Sequence, residues 1–447
     1  MKASERKTFA VIGAGPKGLA VAVKAKVLEE FGLPVDRVVL IERHAVAAHW
    51  SGEHGYTDGE MKLGTSPEKD VVYPLATTTG LPSLDQKIRR RLMDFSWTAF
   101  LIEEGQYADW VDRGRPAPCH QLWAEYLRWV AESLAPQVQI EVAHVQAIDV
   151  DGHDRWKLQL QRADGSLDAL VADRLMLTGP GRTRRDFLCL NTSKSEELPP
   201  DTFDLESFWS ALKANRFPLK GRIAIVGAGE NAASVLLSIA KAAPDLVIDV
   251  ISPKGFVSTR SENFYENRFY SQPDETSWKS LSPEDRADFI GRTDLGVFSV
   301  HAMEILNGEL RHRIVPGRLV SLSHDGNVVL RLCYNGRDSH LRYDRVVLAT
   351  GFDQTATIRR LFTTEALARV EAALSGPVTS DALSSAIESD LSVRGLTPAL
   401  HLPMLAGLAQ GPGFANLSCL GLLSDRAVLE PTLRSQRTFR LTQEAVL

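Results

Sequence analysis

Twice in this chain an apolar strand runs into a glycine-rich turn and out into an Ala-rich helix. The first instance is FAVIGAGPKGLAVAVKAKVLEE from Phe9, and the second is RIAIVGAGENAASVLLSIAKAA from Arg222. Such a turn admits few folds, because the chain must reverse within a few residues and the helix must pack closely on the strand it has just left. Each unit continues into another β-rich strand, VVLIER from Val38 and VIDVIS from Val247, which completes a strand-helix-strand unit of a parallel sheet. The expected fold class is therefore α/β, with two Rossmann-like dinucleotide-binding domains.

The residues of each turn carry separate tasks. In Gly13-Ala14-Gly15-Pro16-Lys17-Gly18 the first glycine permits the turn, the second lets the backbone approach a pyrophosphate, and the third allows the helix to close on the strand. The helix N-terminus then faces the anion. Glu42, followed by Arg43, ends the next strand, where a carboxylate can hold a ribose hydroxyl pair. This is the pattern of a dinucleotide site. The second turn, Gly227-Ala228-Gly229-Glu230-Asn231-Ala232, has alanine at the third small position. After its second strand stands Ser252-Pro253-Lys254 in place of an acid, with Arg260 a little further on. A cation there suits a 2′-phosphate and an acid would repel it, so the pattern favours NADPH over NADH, the other reading being that Lys254 and Arg260 are solvated surface charges.

Two further strand ends, Thr178-Gly179-Pro180-Gly181 and Ala349-Thr350-Gly351-Phe352-Asp353, read as crossings between the two domains, with Thr350 and Gly351 close to a cofactor. The second domain is then an insertion over 216–335, with a substrate-facing, partly helical segment at 260–310. The first domain takes 1–215 and resumes over 336–447. Between the two turns lies a Trp-rich stretch in which Trp123, Tyr126, Leu127, Val130 and Leu134 recur at helical spacing. Strands around VQIEV, WKLQLQ and DRLMLTGPG form a meander returning to the first sheet, and the polar TSKSEELPPDTFD is a surface connection. Strands LVSLSH, VVLRLCYN and DRVVLATGFD are expected to lead back to the first domain, before a polar tail.

At 447 residues the chain exceeds one ordinary core, in keeping with two domains. Its formal charge of -5 provides no broad footprint for nucleic acid or an anionic membrane. The four cysteines form no Cys-x-x-Cys pair, which removes the dithiol of a disulfide reductase. No apolar run reaches membrane-spanning length and no secretory leader opens the chain, so a cytoplasmic protein is expected. No metal constellation is required by the chemistry, and the residues leave oligomeric state open, a homo-oligomer included.

With these pieces in place, the chain resembles the N-hydroxylating flavin monooxygenases that act on ornithine and lysine in siderophore pathways. The resemblance rests on FSWTAFL with PAPCHQLWAEYLRWVAESL, on MKLGTSPEKD from Met61, and on Asn267 in FYENRFY. It implies FAD, NADPH and dioxygen, with one oxygen delivered through a flavin hydroperoxide to the unprotonated amine of an amino acid. It also implies that Lys69 and Asn267 contact the substrate carboxylate, that Met61 and Lys62 lie beside flavin and nicotinamide, and that Lys62 and Asn267 belong to the reaction centre. His49-Trp50 stands where the family has Trp-His, with Trp50 on the cofactor side. The sequence departs from the family pattern at Lys62, at Arg292-Thr293-Asp294-Leu295-Gly296 and at Pro412-Gly413-Phe414-Ala415.

Those departures bear on the substrate. Lys62, Arg268 and Arg292 are cations gained in substrate-facing segments, and arginine can grip a second carboxylate bidentately. Aspartate, oxidised to the hydroxylamine and onward to nitrosuccinate, is thereby favoured over ornithine or lysine. Against this, Glu266 and Asp294 can pair with the arginines, and Asp294 can hold a substrate ammonium. Alternative activities on the same domains are oxidation of sulfur or carbonyl carbon and electron transfer from NADPH to an acceptor.

Overall fold

The computed structural model describes residues 6–185, 197–260, 263–306 and 312–429. Residues 192–196 of the polar connection and the tail from 430 onward lie outside the described residues.

Two five-stranded sheets organise the molecule. The first places Ala399–His401, Arg174–Leu177, Thr8–Ile12, Arg37–Glu42 and Gln139–Val142 side by side, every neighbour parallel. In the second, His312–Pro316, Ile248–Ser252, Ile223–Val226, Arg345–Leu348 and Thr202–Asp204 are likewise parallel throughout. Continuous apolar runs such as Val38–Ile41 and Ile223–Val226 are buried along their length, as parallel strands covered on both faces require. The helices Pro16–Glu30 and Glu230–Ala242 supply that cover, and both bury nearly their whole length.

The two halves share one plan beyond the glycine turns. Counting from the strand that enters its glycine turn, each sheet sends out a three-stranded antiparallel meander after three parallel strands and takes the chain back as a further parallel strand. The first meander is His144–Val150, Trp156–Gln161 and Leu167–Ala172, which returns at Arg174–Leu177. The second is Arg318–His324, Val328–Tyr334 and Arg337–Tyr343, which returns at Arg345–Leu348. Those last strands thus complete the second unit, where the sequence had suggested a return to the first. An apolar run such as Val346–Leu348 states that a strand is buried, not which sheet buries it. Drawn along the sheets, the inserted unit takes in residues 202 to 348, wider at both ends than 216–335.

The two crossings meet. Arg182–Thr183 pairs antiparallel with Phe352–Asp353, and Arg184 donates its N–H to the Gly351 carbonyl at 2.8 Å. Gly181, at φ +86°, allows the contact, since a Cβ there would lie 2.2 Å from the Asp353 carbonyl oxygen. The Trp-rich stretch is core: Trp97, Trp123 and Tyr126 are at most 1% exposed and pack ring against ring, and Leu127 is fully buried in the same cluster. The helices Phe264–Ser271 and Pro283–Thr293, although inserted in the second unit, dock on the C-terminal part of the first. Arg426 reaches across to Asp274, and Gly413 comes so close to Tyr270 that a Cβ would sit 1.9 Å from its carbonyl oxygen. Among the described residues no helix is long and apolar enough to cross a membrane.

Candidate active site

One cleft of about 2080 Å³ runs between the two sheets, lined by both glycine turns and both crossings. At the first turn the three glycines differ in their surroundings. Gly13 has φ +112° and a Cβ on it would meet Thr178 Oγ1 at 2.1 Å, while a Cβ on Gly18 would meet the Gly13 carbonyl oxygen at 2.1 Å. Around Gly15, by contrast, no atom lies within 4 Å of where a Cβ would be. That open face, at the N-terminus of a helix begun by Pro16, is the room a pyrophosphate needs. Glu42 is 8% exposed and held by backbone donors, Ala14 N–H on Oε2 and Arg43 N–H on Oε1, both at 2.9 Å. A carboxylate has about four acceptor sites, so capacity for ribose hydroxyls is left over. Arg43 and Trp50 line the same stretch of cleft.

The second turn repeats the geometry. Gly227 has φ +131°, its N–H donates to Ile251 O at 3.0 Å as Gly13 N–H donates to Ile41 O at 2.8 Å, and Gly229 caps the helix as Gly15 does. Glu230 turns its carboxylate to the backbone N–H of Ser299 at 2.6 Å, and Asn231 faces the cleft. Thr350 and Gly351 line it from the crossing. The residues present therefore fit a dinucleotide at each turn.

The substrate candidates are brought together only in part. Lys69, on a loop of the first domain, donates from Nζ to Asn267 Oδ1 of the inserted helix at 3.0 Å. Asn267 is presented by a helix whose Asn263 side chain caps the Glu266 N–H at 2.9 Å. Met61 and Lys62 do not line the cleft. Met61 is 9% exposed and packs into the second unit's core, and Lys62 forms a β-bridge to Cys119 at the start of the aromatic helix. Arg292, Lys69 and Asn267 also stand outside the cleft wall.

Two of the three cations that pointed to aspartate, Arg292 and Arg268, are already matched with acids, and the third, Lys62, does not line the cleft. Arg292 pairs with Glu266 at 2.7 Å, Arg268 with Glu275 at 2.6 Å, and Arg260 with Asp294. Asn416 donates to the same Asp294 oxygen at 3.4 Å. Asp294 and Arg260, nominated separately for substrate and cofactor, are thus one ion pair. The expectation of an acidic substrate loses its footing, because helix Pro283–Thr293 turns Arg292 toward a neighbouring carboxylate. Lys254 donates to the Gly291 carbonyl at 2.9 Å.

Two cleft residues escaped the sequence reading. Lys17, the unassigned position within the first turn, is 8% exposed, donates to Ala415 O at 3.1 Å, and is brought down to about 8 by burial. Its signal was a charged residue inside a turn otherwise made of small ones. His120 stands edge-on to Trp50 with ring centroids 4.9 Å apart, shares a hydrogen bond with Thr57 Oγ1 at 2.8 Å, and is held down at about 4 by burial. His49 stacks on Tyr56, 5.4 Å between centroids.

Comparison with known proteins agrees with this arrangement. The family model described as L-lysine 6-monooxygenase/L-ornithine 5-monooxygenase matches residues 89–354. The L-lysine N6-monooxygenase MbtG of Mycolicibacterium paratuberculosis is 40% identical over 433 residues, 95% of this chain and 96% of that protein. MbtG of Mycobacterium tuberculosis is 39% identical over 428 residues, 94% of each. Among solved structures, the lysine monooxygenase NbtG from Nocardia farcinica superposes with a TM-score of 0.82 at 39% identity, over 94% of this chain and 99% of that one. The ornithine N-hydroxylase KtzI of Kutzneria sp. 744 shares the fold, with a TM-score of 0.70 at 17% identity over 97% of this chain and all of its own. These relatives are named for lysine or ornithine, and none for aspartate. The chain belongs to the L-lysine 6-monooxygenase/L-ornithine 5-monooxygenase family and is an NADPH-dependent flavin N-monooxygenase, with FAD and NADPH as its cofactors.

Proposed function

We propose that this enzyme hydroxylates the side-chain amine of L-lysine, using NADPH and dioxygen. The observation that carries the reading is the Lys69–Asn267 pair, 3.0 Å apart and contributed by different domains. An ammonium beside a side-chain amide suits the single α-carboxylate of a diamino acid. The arginines nearby are occupied by Glu266 and Glu275, so a second substrate carboxylate would have to displace an existing ion pair. The relatives of about 40% identity, named for lysine, support the same choice.

In this scheme the first turn with Glu42 holds FAD, the second turn holds NADPH, and bound FAD supplies the redox and oxygen-activating chemistry. The chain's own contribution is to position the amino acid by its carboxylate and to keep the amine in a shielded cleft. Nucleophilic nitrogen must be unprotonated, so the rate should rise with pH until the bound amine has lost its proton.

The test is a panel of lysine, ornithine and aspartate, followed by NADPH oxidation together with hydroxylamine formation. Lysine should give coupled product with the highest kcat/KM, and Lys69→Ala and Asn267→Ala should each raise its KM by roughly tenfold or more while flavin content stays the same. A higher kcat/KM for ornithine, or coupled oxidation of aspartate, would overturn the assignment.

A further inference from the structure

The sequence nominates Lys254 and Arg260 for the 2′-phosphate of NADPH, but the cleft wall at that point holds a different arginine. In a Rossmann-like unit the adenosine ribose lies at the carboxyl end of the second strand, and the group found there decides between a hydroxyl and a phosphate. The first unit ends this strand in Glu42. The second ends it in Ser252, which is 1% exposed and directs its hydroxyl to the Phe256 carbonyl at 2.7 Å. Among the described residues, the strand ends in Ser252 and not in a carboxylate that would repel a phosphate.

The neighbouring strand His312–Pro316 runs parallel to Ile248–Ser252, with Pro316 beside Ser252. One residue further on, Gly317 donates its N–H to Ser252 O at 2.9 Å, and a Cβ on it would lie 2.9 Å from Leu332 Cβ. This close approach sets Arg318 directly beside the end of the second strand. Ser252, Lys254, Gly317 and Arg318 line the cleft together. Arg318 is exposed, and its guanidinium has no hydrogen-bond or ion-pair partner among the described residues. Lys254 uses one donor on Gly291 O and keeps two. Arg260 differs from both, since its guanidinium is directed at Asp294, and that carboxylate would oppose an incoming phosphate.

We propose that Arg318, with Lys254, forms the subsite for the 2′-phosphate of NADPH, and that Arg260 serves to hold Asp294 instead. The guanidinium fork supplies paired donors and the ammonium a mobile point charge, a combination suited to a phosphate dianion. The inference rests on the second turn holding NADPH and is independent of which amine is oxidised.

Calorimetric titration of the FAD-loaded protein with NADP⁺ and NAD⁺ tests it without turnover. Arg318→Ala should weaken NADP⁺ by roughly tenfold or more, the range of a lost charge-assisted hydrogen bond, and leave NAD⁺ within about twofold. Affinity for 2′-AMP should fall in parallel, while 5′-AMP should be unaffected. Arg260→Ala should leave the NADP⁺/NAD⁺ ratio unchanged. Because Arg318 is exposed and its guanidinium has no partner among the described residues, the variant should melt with the wild type, so a binding change is not a folding change. Equal losses for both nucleotides, no loss for either, or a ratio that moves with Arg260→Ala instead of Arg318→Ala would overturn the proposal.

Discussion

Gly15 and Gly18 sit three residues apart in one turn, yet their glycines answer different demands. Gly15 has φ -90°, which any residue adopts, and open space where a side chain would go. The protein itself therefore tolerates a side chain there, and only a bound pyrophosphate would collide with it. Gly15→Asp should accordingly give a folded, colourless protein, because it adds bulk and negative charge where the phosphates lie. Gly18→Ala should fail earlier, since its Cβ would press on the Gly13 carbonyl oxygen at 2.1 Å and lift the helix from the strand. Flavin absorbance per protein, read beside circular dichroism, separates the two. A Gly15→Asp variant that keeps stoichiometric flavin would remove this turn from FAD binding. Gly13 and Gly15 were legible in the sequence because turn chemistry is local. Arg318 was not, because it joins Ser252 only through the pairing of two strands far apart in the chain.

At the level of elements, the crossings act as a two-stranded ribbon through which the chain enters and leaves the inserted unit. Its tightest point is Gly181, at φ +86° and against the Asp353 backbone. Gly181→Ala meets both an unfavourable backbone region and a steric contact, so it should cost more than about 1 kcal/mol. Urea unfolding measures this, and an unchanged midpoint would show that the ribbon carries no load. The inserted helices make a related point. Their sequence places them in the second unit, but Arg426 with Asp274, and the Gly413 approach to Tyr270, attach them to the first. The Lys69–Asn267 pair exists because of that docking, which no local pattern in FYENRFY reveals.

Across the whole molecule, the C-terminal part closes the first domain as tightly as the N-terminal part opens it. Lys24, 1% exposed in the first helix, pairs at 3.0 Å with Asp425, 2% exposed and 401 residues away. Thr78 donates to the other Asp425 oxygen at 2.8 Å. Removing one partner leaves a buried charge alone, so Asp425→Ala should lower stability by about 3–5 kcal/mol. The double variant Lys24→Met with Asp425→Leu should recover much of that loss, because neither charge is then buried. Denaturant titration of the three proteins decides it, and a single variant as stable as the double would show the pair to be solvated.

The sequence by itself determined that there are two glycine-rich turns of dinucleotide type, which glycines turn and which leave room open, that Glu42 ends one unit where Ser252 ends the other, and that the aromatic helix is periodic. Each of these is set by residues within one turn of helix or one strand of each other, where backbone sterics and side-chain period act directly. The resemblance to a known family added Lys69 and Asn267 as expected contacts of a substrate carboxylate, and the structure set them beside each other. Tertiary structure alone decided which sheet receives Arg345–Leu348, whether Arg292 and Arg268 meet carboxylates of the protein or of a substrate, that Met61 turns into a core, and that Arg318 lines the cleft beside Ser252. A charge or an apolar run carries no address. Its partner is chosen by whatever the folded chain brings within a few ångströms, and that choice is made across hundreds of residues.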